Sequence, residues 1–167
     1  MKKRDYPIID AHAHIFPDKI AEKSRQFVSE YYDLPMYTKG TISELLAVRK
    51  STYSLPEKLK NLLRQVPDLV ITAGHMGGYT HWEEAYLLPA VPNLYFDCSS
   101  TLAFIKSDYM LRMIDRFGVS QFFFGTDFPM WQPEEEIERL EDLRLGEEIE
   151  KAILHDNFER FIGGLED

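Results

Sequence analysis

Two histidines one residue apart, His12 and His14, close the segment Asp10-Ala11-His12-Ala13-His14, which follows a short apolar run, Tyr6-Pro7-Ile8-Ile9. Side chains of a strand alternate between its faces, so the two imidazoles point the same way. Side by side at a strand end they form half of a divalent metal site. Two adjacent imidazoles also repel when protonated, which favours a shared ligand over two separate structural roles. Other apolar runs end in polar residues of the same kind: His75 after 69–73, Asp97 and Ser99 around the end of 93–97, and Asp127 after 121–124. Two histidines and a carboxylate are a recurrent zinc ligand set that keeps a position open for water. Bound zinc lowers the pKa of that water to roughly 7.

Structural readings compete at several of these positions. Asp127 precedes Phe128-Pro129 and would also serve an Asx turn. His75, ahead of Met76-Gly77-Gly78, would also serve as a hydrogen-bonded strand-end residue. Asp97, with Ser99, fits structure or substrate lining about equally. His81 and His155 lie in helical stretches and read as surface residues, whereas Trp82 and Phe122-Phe123-Phe124 read as core.

The elements that must position these groups are strands at 6–14, 69–73, 93–97 and 121–124. Each is a nearly continuous apolar run, as expected of parallel strands covered on both faces. Helical patterns fill the intervals. Ile20, Ser24, Phe27, Val28 and Tyr31 share a face after Pro17-Asp18. Thr41 with Glu44, Ser54 with Glu57 and Thr80 with Glu83 have the spacing of capping boxes. Met110, Leu111, Ile114 and Phe117 form a stripe stopped by Gly118. Pro133 starts a Glu-rich helix that Gly146 interrupts, and the pattern then continues towards Gly163-Gly164. Alternating strands and helices make the chain α/β, and in such folds the carboxyl ends of the strands form the active face.

The 167 residues are enough for one domain with a real core, and 44% hydrophobic with 28% charged residues is ordinary for a globular protein. A net charge of -9 argues against nucleic acid and anionic membrane surfaces as partners. No run approaches a membrane span of ~20 apolar residues, and no signal-peptide core follows the basic start. A single cysteine, Cys98, excludes an intrachain disulfide, so a cytoplasmic location is expected.

Taken together, Asp10-Ala-His12-Ala-His14 with Ile15-Phe16-Pro17, Ala73-Gly74-His75-Met76-Gly77-Gly78, Tyr95-Phe96-Asp97-Cys98-Ser99-Ser100 and Phe124-Gly125-Thr126-Asp127-Phe128-Pro129 resemble the amidohydrolase superfamily. The branch most similar is that of metal-dependent TIM-barrel hydrolases and decarboxylases that includes aminocarboxymuconate-semialdehyde decarboxylase. The resemblance implies that His12, His14 and Asp127 are metal ligands from barrel strands one and eight. It implies that His75 is the strand-six histidine that polarises substrate or helps activate the water, with Asp127 doubling as proton acceptor. Zinc is the expected metal, with manganese as the other candidate. The implied activity is hydrolysis of a small-molecule C–N or C–O bond through metal-activated water. The alternatives are a decarboxylase of the same superfamily or a non-catalytic metal-binding remnant.

A full TIM barrel has eight strand–helix units in about 250 residues. The motifs here match strands one, six, seven and eight, so strands two to five are missing at a junction near Lys50-Ser51, and the strand-five histidine with them. The expected fold is therefore one domain over residues 1–167, a partial TIM barrel of about four parallel strands. It would be either a single 6-7-8-1 arc or a half-barrel completed in a homodimer. In the dimer, His12 and His14 of one subunit would face Asp127 of the other.

Overall fold

The computed structural model describes residues 6, 9, 11, 12, 16–32 and 56–164. Asp10, His14, Thr41, Glu44, Ser54 and the junction at Lys50-Ser51 lie outside them.

Helix α1 spans Asp18–Tyr32 and starts after Pro17, as the pattern predicts. Ala21 is its buried residue, whereas Ile20 and Phe27 of the expected apolar face are exposed. Helix α2, Pro56–Gln65, buries Leu59 and Leu63 at helical spacing. The sheet follows. Strands β1 (Ile71–Ala73), β2 (Leu94–Asp97) and β3 (Phe122–Phe123) are parallel in the order β1-β2-β3. Thr72 pairs with Tyr95, and Phe96 with Phe122. The core explains why these runs are strands. Phe96, Phe122, Phe123 and Phe124 are all fully buried, which requires layers on both faces of the sheet.

Three strands thus form where four are predicted, among the described residues. The described part of the fourth, residues 6, 9, 11 and 12, is not assigned as strand. Its backbone nevertheless lies along the end of β3. Ala11 donates to the Phe124 carbonyl at 2.8 Å, and the His12 carbonyl accepts from Thr126 and Asp127 at 3.0 and 2.7 Å. Residue numbers rise together on both segments, so the arc runs β1-β2-β3 and then the N-terminal segment. His12 and Asp127 meet within one chain. This is the arrangement of the single 6-7-8-1 arc, in which strand-end pairing joins the two residues inside one chain.

Helices α3 (Trp82–Tyr86) and α4 (Ser107–Phe117) follow β1 and β2. The Thr80–Glu83 capping box does not form. His81 occupies the N-cap without a side-chain cap bond, and Thr80 adopts a left-handed backbone, φ 62°. Helix α4 ends at Gly118, φ 88°, as its sequence predicts. Helix α5 (Pro133–Asp142) begins at its proline, and Gly146, φ 100°, separates it from α6 (Glu147–Lys151).

Between α6 and α7 (Asn157–Gly163) the helix widens into a π turn, Ala152–Asp156. Its Ile153 and Leu154 carbonyls accept from the backbone of Phe124 and Ile9, both at 2.9 Å, tying β3 to the N-terminal segment. The extra residue of a π turn shifts the phase of the helix. His155, expected at the surface, is consequently buried, with its ring 5.7 Å from that of Tyr6. No helix among the described residues is long and apolar enough to cross a membrane.

Candidate metal centre

The strand ends gather His12, His75, Asp97, Ser99 and Asp127 into one cluster. His75 is carried on a tight turn, Gly74–Gly77, after β1, with His75 and Met76 both left-handed at φ 56° and 53°. Met76 is fully buried and anchors the turn, and the indole of Trp82 donates to the His75 carbonyl at 3.2 Å. His12 packs directly on Gly125, where a Cβ would stand 2.8 Å from the Cβ of His12. Only glycine lets the imidazole-bearing backbone approach the β3 end this closely. Asp127 sits two residues later with φ 57°.

Asp97 organises the cluster. Its Oδ2 accepts from Nδ1 of His12 at 2.9 Å. Its Oδ1 accepts from the backbone of His75 and of Ser99, each at 3.1 Å, and from the Ser99 hydroxyl. Burial alone would raise its pKa. The charges of His12 and His75 and the bonds from His12 and Ser99 outweigh that and hold the carboxyl well below the usual carboxylate range. Asp97 is therefore an anion with its oxygens taken by donors. Asp97 and Ser99, offered by the sequence as candidate substrate-lining residues, are both buried and bonded to the two imidazoles.

Donor and acceptor chemistry then fixes the imidazole protons. Nδ1 of His12 faces a carboxylate oxygen, and Nδ1 of His75 lies 3.0 Å from the Ser99 carbonyl oxygen. Both partners only accept, so both Nδ1 atoms carry hydrogen. In the neutral rings Nε2 is left as a lone-pair donor. Both Nε2 atoms are turned to the same carboxylate: that of His12 lies 3.5 Å from Asp127 Oδ1, and that of His75 lies 3.9 Å from Asp127 Oδ2. Two nitrogen lone pairs turned to the two oxygens of one carboxyl group are a donor set that suits a cation. Nδ1–H held by a carboxylate or a carbonyl is the outer arrangement that metal-ligating histidines use.

His12, His75 and Asp97 also place one donor atom each within 4.8 Å of one another. A cation bound among those atoms would have to displace the hydrogen bonds to Asp97 and Ser99, so the set His12, His75 and Asp127 is the better fit. His14 lies outside the described residues. Cys98, between Asp97 and Ser99 in sequence, is buried, and desolvation followed by the Asp97 and Glu136 charges pushes its thiol pKa up, which makes it a core side chain rather than a nucleophile.

Aromatic rings surround the more accessible side of the cluster. Tyr79 meets the edge of His75 at 6.2 Å, Phe104 lies 6.1 Å from Tyr79 and stacks on Trp82, and Trp131 lies 6.3 Å from Phe104. A cleft of about 550 Å³ adjoins this rim, sharing Trp82 and Phe104 with it and continuing to Lys106, Tyr109 and Arg112. None of the clustered histidines and carboxylates lines that cleft.

The profile of the amidohydrolase family matches residues 45–164. The chain belongs to the amidohydrolase family. No curated protein matches it. Among solved structures, this amidohydrolase is similar to a probable 2-pyrone-4,6-dicarboxylic acid hydrolase from Acinetobacter baumannii with citric acid bound. That match has a TM-score of 0.61 and 12% identity, and covers 95% of this chain and 100% of the other. An uncharacterized TIM-barrel protein from Bordetella bronchiseptica matches with TM-score 0.54 and 24% identity, over 65% of this chain and 39% of its own. A zinc-bound amidohydrolase from Burkholderia multivorans matches with TM-score 0.52 and 15% identity, over 63% of this chain and 48% of its own. The chain thus spans less than half the length of the latter two. These likenesses establish the fold: α/β, with the parallel arc of part of a TIM barrel.

Two residues of the site had no mark in the sequence. Ser100 donates to Asp127 Oδ2 at 2.6 Å, and the Trp131 indole donates to Ser100 at 3.0 Å. The available signal was weak: a second serine after Asp97 and a tryptophan soon after Phe128-Pro129.

Proposed function

We propose that this amidohydrolase is a metal-dependent hydrolase acting on a C–N or C–O bond of a small molecule. One observation carries the reading: the Nε2 atoms of His12 and His75 face the Asp127 carboxylate, each imidazole being held in that tautomer from behind. His12, His75 and Asp127 would hold the cation. Their nitrogen and carboxylate donors suit zinc, and manganese is the other candidate. Such an ion supplies Lewis acidity, polarising a substrate carbonyl and acidifying water near neutral pH.

The chain's own residues do the rest. Asp97 and Ser99 keep the Nδ1 protons in place. The side chain of His75, 19% exposed against 5% for His12, is the more open of the two imidazoles, so substrate would approach the cation from its side. Asp127, whose Oδ2 accepts from Ser100, is the carboxylate of the set and would also take up a proton in the reaction. The aromatic rings beside His75 keep that side of the site apolar and limit the access of water.

Support also comes from the family membership, the zinc held by the Burkholderia relative and the hydrolase name of the Acinetobacter one. The latter's 2-pyrone substrate is a cyclic ester, so lactones are the first substrates to try. The test is metal analysis of the purified protein, followed by proton release from a panel of lactones and amides with zinc or manganese supplied. Near-stoichiometric metal that disappears in His12→Ala, with turnover lost in Asp127→Asn, is expected. Protein that retains neither metal and turns over nothing would be a remnant of the family rather than an enzyme.

A further inference from the structure

Asp127 is fixed by a hydrogen-bonded chain that starts outside the cluster. The Trp131 indole can only donate, and its Nε1 lies 3.0 Å from the Ser100 hydroxyl. Ser100 has one proton, and its Oγ lies 2.6 Å from Asp127 Oδ2. Met130 Sδ, at 3.5 Å, is the other acceptor within its reach, and the much nearer carboxylate is the stronger one. The chain therefore runs from indole N–H to hydroxyl oxygen and from hydroxyl proton to carboxylate. The backbone is unusual at both ends of the second bond, with φ 50° at Ser100 and 57° at Asp127. Non-glycine residues in this region carry strain and persist only where the surroundings hold them. Ser100 is buried, whereas Trp131 is half-buried with the Arg139 guanidinium 4.6 Å above its ring and Phe104 at 6.3 Å.

We propose that Trp131 and Ser100 are positioning residues for Asp127, holding Oδ2 so that Oδ1 stays turned to Nε2 of His12. The proposal rests on the reading of Asp127 as a metal ligand. It goes beyond that reading in giving a rim aromatic and a buried hydroxyl a defined part in the geometry of the centre. The device acts through a single oxygen. Loss of the Ser100 bond removes one restraint on rotation of the carboxylate about its Cβ–Cγ bond, and with it part of the hold that keeps Oδ1 opposite His12.

Two measurements on the full chain test it. The chain has two tryptophans, Trp82 and Trp131, so the metal-free protein gives two indole N–H signals by NMR, assigned with Trp131→Phe. Ser100→Gly, which suits the left-handed backbone and removes the small hydroxymethyl side chain, should move the Trp131 signal and leave that of Trp82 in place. Asp127→Asn should move it as well, through Ser100. In competition with a chromogenic chelator, Ser100→Gly and Trp131→Phe should each bind Zn²⁺ about 10- to 100-fold more weakly, as loss of an outer-shell partner does. A purely structural role would lower the melting temperature of the metal-free protein and leave Zn²⁺ affinity alone. A Trp131 signal indifferent to Ser100→Gly, or Zn²⁺ affinity of that variant within twofold of wild type, overturns the proposal. Wild-type protein that binds no Zn²⁺ sinks the metal reading instead, and the indole signals then decide by themselves whether the chain exists.

Discussion

Asp97 accepts the Nδ1 proton of His12 at 2.9 Å, while Nε2 of the same ring lies 3.5 Å from Oδ1 of Asp127. One imidazole is thus gripped by one carboxylate and presented to another. The first sets the tautomer that the second requires. Asp97→Ala removes the grip and leaves the Ser99 hydroxyl, 2.8 Å away, as the remaining neutral partner of Nδ1. Zn²⁺ affinity should fall about 10- to 100-fold. The metal-free protein should lose about 1.5–3 kcal/mol of stability, as expected for a buried hydrogen bond to a charged group. Chelator competition and urea unfolding read the two effects separately.

The depressed pKa of Asp97 gives the second prediction. Its folded value lies below its unfolded value, so the unfolded chain binds more protons in between. The stabilisation is complete above the unfolded value of about 4 and is lost as pH falls through the folded one. The stability gap between metal-free wild type and Asp97→Ala should stand at its full value at about pH 5, where the carboxylate is ionised in both states. Below about pH 4 it should shrink steadily. A gap that widened on acidification would mean that Asp97 is protonated in the folded protein.

Gly125 and Gly74 make a graded pair. A Cβ at Gly125 would lie 2.8 Å from the Cβ of His12, whereas one at Gly74 would lie 3.3 Å from its Cε1, at the movable end of the side chain. Gly125→Ala must push the His12 backbone away from β3 and should cost about 1–3 kcal/mol. It should also impair Zn²⁺ binding more than Gly74→Ala does. The reverse order would mean that His12 is seated by its ring and not by its backbone.

How far the sequence reaches is clearest in the residues that surprised. The runs at 69–73, 93–97 and 121–124 were legible because strands covered on both faces are apolar almost throughout, and Phe96 and Phe122 are buried accordingly. That polar residues end each run placed His12, His75 and Asp127 at one edge of the sheet. The sequence could not say which carboxylate grips and which faces the open nitrogens, because Asp97 and Asp127 are the same residue type at equivalent strand ends. Ser100 and Trp131 were invisible for a related reason. The hydroxyl works on a carboxylate 27 positions away, and its left-handed backbone has no glycine to announce it. His155 was misplaced because periodicity assumes a constant helical phase, and the π turn at Ala152–Asp156 changes it.

Removal of metal should reveal which histidines matter. A ligand that binds only the folded state at 100 times its Kd stabilises by about 2.7 kcal/mol, or roughly 5–10 °C in a domain of this size. Zn²⁺ added to chelator-stripped protein should raise the melting temperature by that amount, and chelator should reverse it. His75→Ala and Asp127→Asn should abolish most of the rise, since each removes a donor from the convergent set. His155→Ala is the control. His155 is buried, but its Nε2 lies beside Glu159 at 3.4 Å and it is not among the clustered donors, so its loss should lower the baseline and leave the Zn²⁺-dependent increment unchanged. A full increment in His75→Ala would assign that histidine to substrate alone and leave His12 and Asp127 to hold the metal.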